Sequence, residues 1–144
     1  WGCIMLSIGE LSRKAEVKVP TIRYYEQSGL MAAPERSEGN QRRYTRADLE
    51  RLVFIRHARA LGLSLDEIRE LISLSKHPDE PCARADRIAA SHLSSVRERI
   101  ARLRKLESEL ERIVSHCHGQ TIGDCYVIRA LSDHGLCEGD HPPV

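Results

Sequence analysis

Apolar positions along this chain fall first into short helical groups and then into one long stripe. Ile8, Leu11 and Ala15 recur three and four residues apart, which puts them on one side of a helix predicted over Ile8–Ala15. Glu16-Val17-Lys18 interrupts the pattern. A second helix is expected from Val19 to Gln27, since Pro20 suits a first turn and Gly29 stops the run. Two short helices on so brief a connection suggest a helix-turn-helix. Pro34, Gly39 and Asn40 give Leu30 to Tyr44 the composition of a hairpin-like loop, with Arg42 and Arg43 at its tip.

Thr45 with Asp48, and Ser64 with Glu67, have the spacing of capping boxes, in which hydroxyl and carboxylate each accept a backbone N–H at a helix start. The first should open a helix carrying Leu49, Leu52, Val53, Ile55 and Ala60, ended by Gly62. The second should carry Ile68, Leu71 and Ile72 to about Ser75, and His77-Pro78 and Pro81 mark a linker.

From about Arg84 to Ser115 there is neither Pro nor Gly, and Ala89, Leu93, Val96, Ile100 and Leu103 keep the four-three spacing of a coiled-coil seam. The stripe then steps by three to Leu106 and resumes at Leu110 and Ile113, resembling a stammer that overwinds the coil locally. Arg97, Glu98, Arg99, Arg102, Arg104, Lys105 and Glu109 stud the other face. A lone helix cannot bury such a stripe, and one of roughly 45 Å outruns a small head, so a partner helix, and with it a homodimer, is expected. Beyond Cys117 glycines return, a short helix is expected from about Asp124 to Leu131, and the chain from Ser132 is read as a loose tail. The expected parts are therefore a winged helix-turn-helix head over 5–75, a dimerisation helix over 82–115, a metal-binding loop with a short helix over 116–131, and a flexible tail over 132–144.

Composition narrows the function. The net charge is +1, so binding to nucleic acid must rest on local patches, and the stretch from Ile8 to Ala60 is mildly basic. Apolar residues make up 41% of the chain and charged ones 30%, lean for a lone core but normal for a helical protein completed by a partner. No apolar run approaches the ~20 residues that span a bilayer, and no signal peptide is visible, so a cytoplasmic protein without membrane contact is expected. Trp1 to Ile4 reads as a leader foreign to the fold, with Met5 as the natural start, and Cys3 is assigned no role. No nucleophile–base pair, phosphate loop or open metal site is legible, which argues against an enzyme.

The second helix of a helix-turn-helix enters the major groove, and here it presents Thr21, Arg23, Tyr24 and Tyr25 near its start. Arginine reaches guanine or phosphate, while Thr and Tyr hydroxyls commonly donate to phosphate. Arg42 and Arg43 would grip flanking backbone as a wing, and Arg56 is a further phosphate candidate. Tyr25 is as readily a core residue as a contact. The expected DNA-binding set is Thr21, Arg23, Tyr24, Arg42, Arg43, Tyr44 and Arg56.

Ile8-Gly9-Glu10-Leu11, Thr21-Ile22-Arg23-Tyr24-Tyr25-Glu26, Gly29-Leu30, Arg42-Arg43-Tyr44-Thr45, Phe54-Ile55-Arg56 and Gly62-Leu63-Ser64-Leu65-Asp66-Glu67-Ile68 together resemble the MerR family of metal-responsive regulators, from Met5 to about Leu131. The chain is most similar to its zinc, cadmium/lead and copper sensor branches. The resemblance implies a mainly α fold: a winged helix-turn-helix head, a long antiparallel coiled-coil dimerisation helix and a C-terminal metal-binding loop. It also implies that a dimer sits between widely spaced promoter elements and, with metal bound, bends and untwists that DNA so that RNA polymerase engages both.

Cys117 and Cys125 lie eight apart. On a continuous helix they would stand about 12 Å apart and rotated by ~80°, so they share an ion only if Gly119 and Gly123 let a loop fold back. Thiolates select Zn, Cd, Hg, Pb or Cu(I) over Mg or Ca. Cys82 precedes Cys117 by a helix's length, so the two meet only between antiparallel chains, where Cys82 of one subunit approaches the loop of the other. Two thiolates suit linear Cu(I), and a third favours a divalent ion. In the family it resembles, copper sensors carry serine at the position of Cys82, although the Cys117–Cys125 spacing is like theirs. The expected ion is zinc, or cadmium or lead, then mercury, and last Cu(I). His118 is the first candidate for a fourth donor, ahead of His116 and Asp124, while Cys137, His134 and His141 are read as tail. Two other readings use the same residues: a thiol redox sensor and a metal buffer without DNA function.

Overall fold

The structure, a computed structural model, describes residues 5–36, 38–39 and 42–136, apart from the side chains of Glu35, Arg42 and His134. Cys3, Cys137 and His141 therefore lie outside the described residues. The chain divides into two compact units, Trp1–Ala85 and Asp86–Val144.

The first unit holds α1 (Ile8–Ala15), α2 (Val19–Gln27), β1 (Glu35–Arg36), β2 (Arg42–Arg43), α3 (Arg46–Ala60) and α4 (Leu65–Ser75). Ser7 caps α1 by accepting the Glu10 N–H at 3.2 Å. α1 ends at Glu16, whose φ of 57° is left-handed and turns the chain sharply into α2. That conformation costs a residue with a Cβ roughly 1–2 kcal/mol. An ion pair from Arg56 on α3 to the Glu16 carboxylate helps to hold the turn in place. Both predicted capping boxes are present: Thr45 and Asp48 open α3, and Ser64 and Glu67 open α4. Gly62, at φ 85°, makes the bend between these helices.

β1 and β2 pair antiparallel, Glu35 opposite Arg43 and Arg36 opposite Arg42, and form the wing. Leu6 exchanges two backbone hydrogen bonds with Tyr44, at 2.7 and 2.9 Å, and so ties the start of the described chain to the base of the wing. α1 packs on α2 and α3, and α4 packs on α3. Leu11, Ile22, Leu30, Tyr44, Leu52, Ile55 and Ile68 are fully buried at the centre. These come from the helical face predicted by three-four spacing, together with loop residues that periodicity does not reveal.

The second unit is dominated by α5 (Ala83–Ser115), whose 33 residues rise about 50 Å. A 3-10 turn (Ile122–Asp124) precedes α6 (Tyr126–Ser132), and another (His134–Leu136) follows it. α6 thus starts two residues later than expected, because Cys125 is extended and stands at its N-cap. The expected loose tail is corrected at its first residues: the turn at His134–Leu136 packs on α6, and the Leu136 carbonyl accepts a hydrogen bond from Arg112.

The seam also differs at its C-terminal end. Leu93, Ile100 and Leu103 are exposed along α5 as expected of a face awaiting a partner. Beyond Leu103, a groove of about 720 Å³ is lined by Leu106, Glu107, Leu110, Glu111 and Val114. Leu106, where the sequence places the stammer, lines this groove together with Leu110 and Val114. Ile113, assigned to the seam from sequence, is 6% exposed, whereas Val114 is 68% exposed. The sequence pattern favoured Ile113 over Val114, yet Ile113 is already committed within its own chain. Among the described residues no helix is long and apolar enough to cross a membrane.

Replacing Thr45 by Ala should remove the α3 capping box and lower unfolding free energy by about 1 kcal/mol. Urea denaturation followed by circular dichroism measures it, and an unchanged midpoint would show that the cap contributes nothing.

Candidate functional site

α2 presents Arg23 and Tyr24 to solvent, Tyr24 at 53% exposure, while Thr21 is half-buried on the same helix. Tyr25, its ring centroid 6.0 Å from that of Tyr24, is 7% exposed, which resolves its two readings in favour of the core. Arg43 on the wing is half-buried; Arg42 lies beside it in β2, its side chain outside the described set. α2 and the wing thus offer cationic and hydroxyl donors of the kinds that grip a nucleic-acid backbone.

Two expected contacts need correction. Tyr44 is fully buried, and its hydroxyl donates to the Glu26 carboxylate on α2, so its ring supports the head from inside and is not available to DNA. Arg56 is engaged by Glu16, and its Nη2 stands 3.1 Å from His57 Nε2. It braces the turn between α1 and α2, with its side chain still 32% exposed. Neither role leaves a sequence signal, because a buried Tyr and an exposed one carry the same letter.

The thiolate loop is built by the end of α5 and the start of α6. Cys117 follows the last turn of α5, its N–H donating to the Val114 carbonyl at 3.1 Å. Gly119 then passes so close to Asp124 that a Cβ placed there would lie 2.5 Å from the Asp124 carbonyl oxygen. This close approach folds the loop back, as glycine permits. A Cβ at Gly123 would meet Thr121 Oγ1 at an ordinary 3.9 Å, so of the two glycines only Gly119 is required by packing. The fold-back sets Cys117 and Cys125 at the two ends of one closed loop. Cys125 sits at the N-cap of α6 without a fully formed capping bond, yet the nearby N–H groups of Ile128 and Val127, Ile128 first, hold its thiol below the ordinary range. The neighbouring Cys117 adds to that lowering, and partial burial opposes it.

Cys82, Cys117 and Cys125 are not joined in disulfides. Cys82 lies immediately before α5 and is exposed, on the rim of a cavity of about 300 Å³ with Phe54, Leu71, Leu74 and Pro81. Among the described residues, no group of three or more His, Cys, Asp or Glu side chains converges as a metal site. The chain by itself thus offers two soft sulfur donors, one at each end of the folded-back loop. Two sulfurs fit a thiophilic ion, with any further donor coming from elsewhere. His118 is exposed and is not gathered with them. Of the other candidate donors, Asp124 accepts from the Thr121 hydroxyl at 3.2 Å, and His116 Nδ1 is 2.7 Å from the Arg112 carbonyl.

Sequence reasoning missed the residues that hold this loop. Arg112 Nη2 lies 2.5 Å from Glu109 Oε1, its Nη1 donates to the Tyr126 hydroxyl at 2.8 Å, and it also donates to the Leu136 carbonyl. Glu109 and Tyr126, Glu109 first, hold the Arg112 guanidinium charged well above its ordinary range. The only signal was Glu109 and Arg112 at i and i+3, a spacing that ordinary solvated pairs share.

A helix-turn-helix with a wing, followed by a long helix and a thiol-bearing loop, defines a DNA-binding regulator with a sensing appendage. Family comparison agrees: residues 6–74 match the model for MerR HTH family regulatory proteins, and residues 49–113 match the model described as "MerR, DNA binding". The HTH-type transcriptional regulator ZntR of Escherichia coli K12 is 43% identical over 130 residues, covering 88% of this chain and 92% of that one. The mercuric resistance operon regulatory protein of Pseudomonas fluorescens is 40% identical over 139 residues, covering 96% and 95%. The lead(II) complex of the transcription regulator PbrR691 from Ralstonia metallidurans CH34 superposes with a TM-score of 0.77 at 40% identity, covering 88% and 98%. The chain belongs to the MerR family of helix-turn-helix transcriptional regulators and is not an enzyme.

Tyr44→Phe should cost about 1–2 kcal/mol of stability by removing the bond to Glu26. Its operator affinity and the salt dependence of that affinity should stay at the wild-type level in binding titrations. A weakened affinity with a shallower salt slope would put Tyr44 back on the DNA.

Proposed function

We propose that this chain is a homodimeric transcriptional regulator that responds to a soft divalent metal ion, zinc first, then cadmium or lead, then mercury, with Cu(I) last. The observation that carries the reading is the loop from Cys117 to Cys125, folded back where Gly119 meets Asp124, directly after a long helix in a chain that begins with a DNA-binding head. Relatives at 40% identity are named for mercuric resistance or hold lead(II), both thiophilic ions, which supports a thiolate site.

Cys117 and Cys125 of one subunit, with Cys82 of the partner subunit, would hold the ion, and His118 is the first candidate for a fourth donor. Such ligation ties the loop of one chain to the helix start of the other, so metal binding is linked to dimer geometry. The open face from Leu93 to Val114 supports the dimer, since an apolar stripe on a long helix is stable in water only when covered. On the DNA side, Thr21, Arg23, Tyr24, Arg42 and Arg43 would contact the operator. The dimer would act in the cytoplasm by bending and untwisting a promoter so that RNA polymerase engages it.

One observation favours a second reading: the Cys125 thiol is held below its ordinary range, and a cysteine poised in that way at one end of a loop that carries another can also serve a redox sensor. Metal titration under reducing conditions separates the two, since a redox sensor should show no tight stoichiometric binding.

In a reporter assay across Zn, Cd, Pb, Hg and Cu, Cys117→Ser should abolish the response to every metal and Cys82→Ser should weaken the divalent responses. Full divalent response without Cys82 would defeat the shared site. Arg23→Ala should weaken operator binding by about 1–3 kcal/mol, measured by titration at moderate salt.

A further inference from the structure

The two cysteines of the loop are each next to a residue that is fixed by the same arginine. His116 precedes Cys117, and Tyr126 follows Cys125. Their rings stack on one another, 5.0 Å between centroids and 25° between planes. The Arg112 guanidinium donates to the Tyr126 hydroxyl, and the Arg112 carbonyl lies 2.7 Å from His116 Nδ1. Both ends of the thiolate loop are therefore anchored at one point of α5.

We propose that Arg112, oriented by Glu109 and acting on Tyr126, is a positioning residue that presets the Cys117–Cys125 loop for metal, so that affinity depends on this clamp as well as on the thiols. The inference rests on the reading of that loop as a metal site. Glu109 and Arg112 are 8% and 15% exposed at their side chains. A pair so desolvated is no better for stability than apolar residues of the same size, so stability does not explain it. What the planar fork supplies is direction: it addresses α5, α6 and the chain at Leu136 at once. A loop closed in advance spares the ion the entropy of closing it.

The test uses the full-length protein under reducing conditions. Cd2+ is titrated against a competing chelator while thiolate-to-metal charge-transfer absorption is followed. In the metal-free protein, amide exchange is read across residues 117–125. Arg112→Met should weaken Cd2+ binding by about 10- to 100-fold, the range found when outer-shell partners of metal ligands are removed. It should also speed exchange in the loop. Tyr126→Phe, which keeps the ring against His116, should show a smaller loss in the same direction, and Arg104→Met, an exposed arginine of α5, should show none. Wild-type affinity and wild-type exchange in Arg112→Met would overturn the proposal. If that variant does not fold, the same result in Tyr126→Phe overturns it. A wild-type protein with no charge-transfer band would sink the metal reading itself; the exchange data would then still report whether the clamp orders the loop.

Discussion

An α-helix has only so much circumference, and the last turns of α5 divide theirs between two covers. Glu109, Arg112, Ile113 and His116 stand at i, i+3, i+4 and i+7 and share a face. That face is taken up inside the chain by hydrogen bonds to Tyr126 and Leu136, by ring stacking on His116 and by the burial of Ile113. Leu103, Leu110 and Val114 occupy a different side and stay open. The thiolate loop is thus fastened to the helix without consuming the surface on which a second chain would pack. Were Ile113 part of the seam, the loop and a partner helix would compete for the same turns.

The head follows a comparable economy with charge. Several residues that look like DNA contacts by type brace α2 and the wing. Arg56 and Glu16 fasten the turn that separates α1 from α2, and Tyr44 reaches under the wing to Glu26 on α2. Arg69 reaches the Ser28 carbonyl at 2.7 Å and ties α4 to the end of α2. The exposed remainder, Arg23 and Tyr24 above all, is presented from a helix whose place is determined on several sides. A side chain that reads DNA loses less entropy on binding when its helix cannot shift. In a chain of net charge +1, specificity of placement counts for more than bulk attraction.

The regulator needs no catalytic chemistry for this arrangement to act. Closing a loop at the end of a long helix and presenting a helix from a braced head are both positional tasks. Close packing makes such elements respond in discrete steps rather than by gradual deformation.

What the sequence by itself determined was everything that repeats or punctuates. Three-four spacing and two capping boxes located α1 to α4, the absence of Pro and Gly located α5, and Cys117 with Cys125 marked the loop. These signals are local, since backbone hydrogen bonding and capping involve residues within four of each other. Only the tertiary structure decided which apolar letters face which cover, as with Ile113 against Val114, and which polar letters are structural, as with Tyr44, Arg56 and Arg112. It alone showed that Gly119 is required by a close approach while Gly123 is not. Those outcomes depend on contacts between residues 5 to 40 positions apart, and burial of a given side chain is a property of the neighbours that arrive, not of the residue or its spacing.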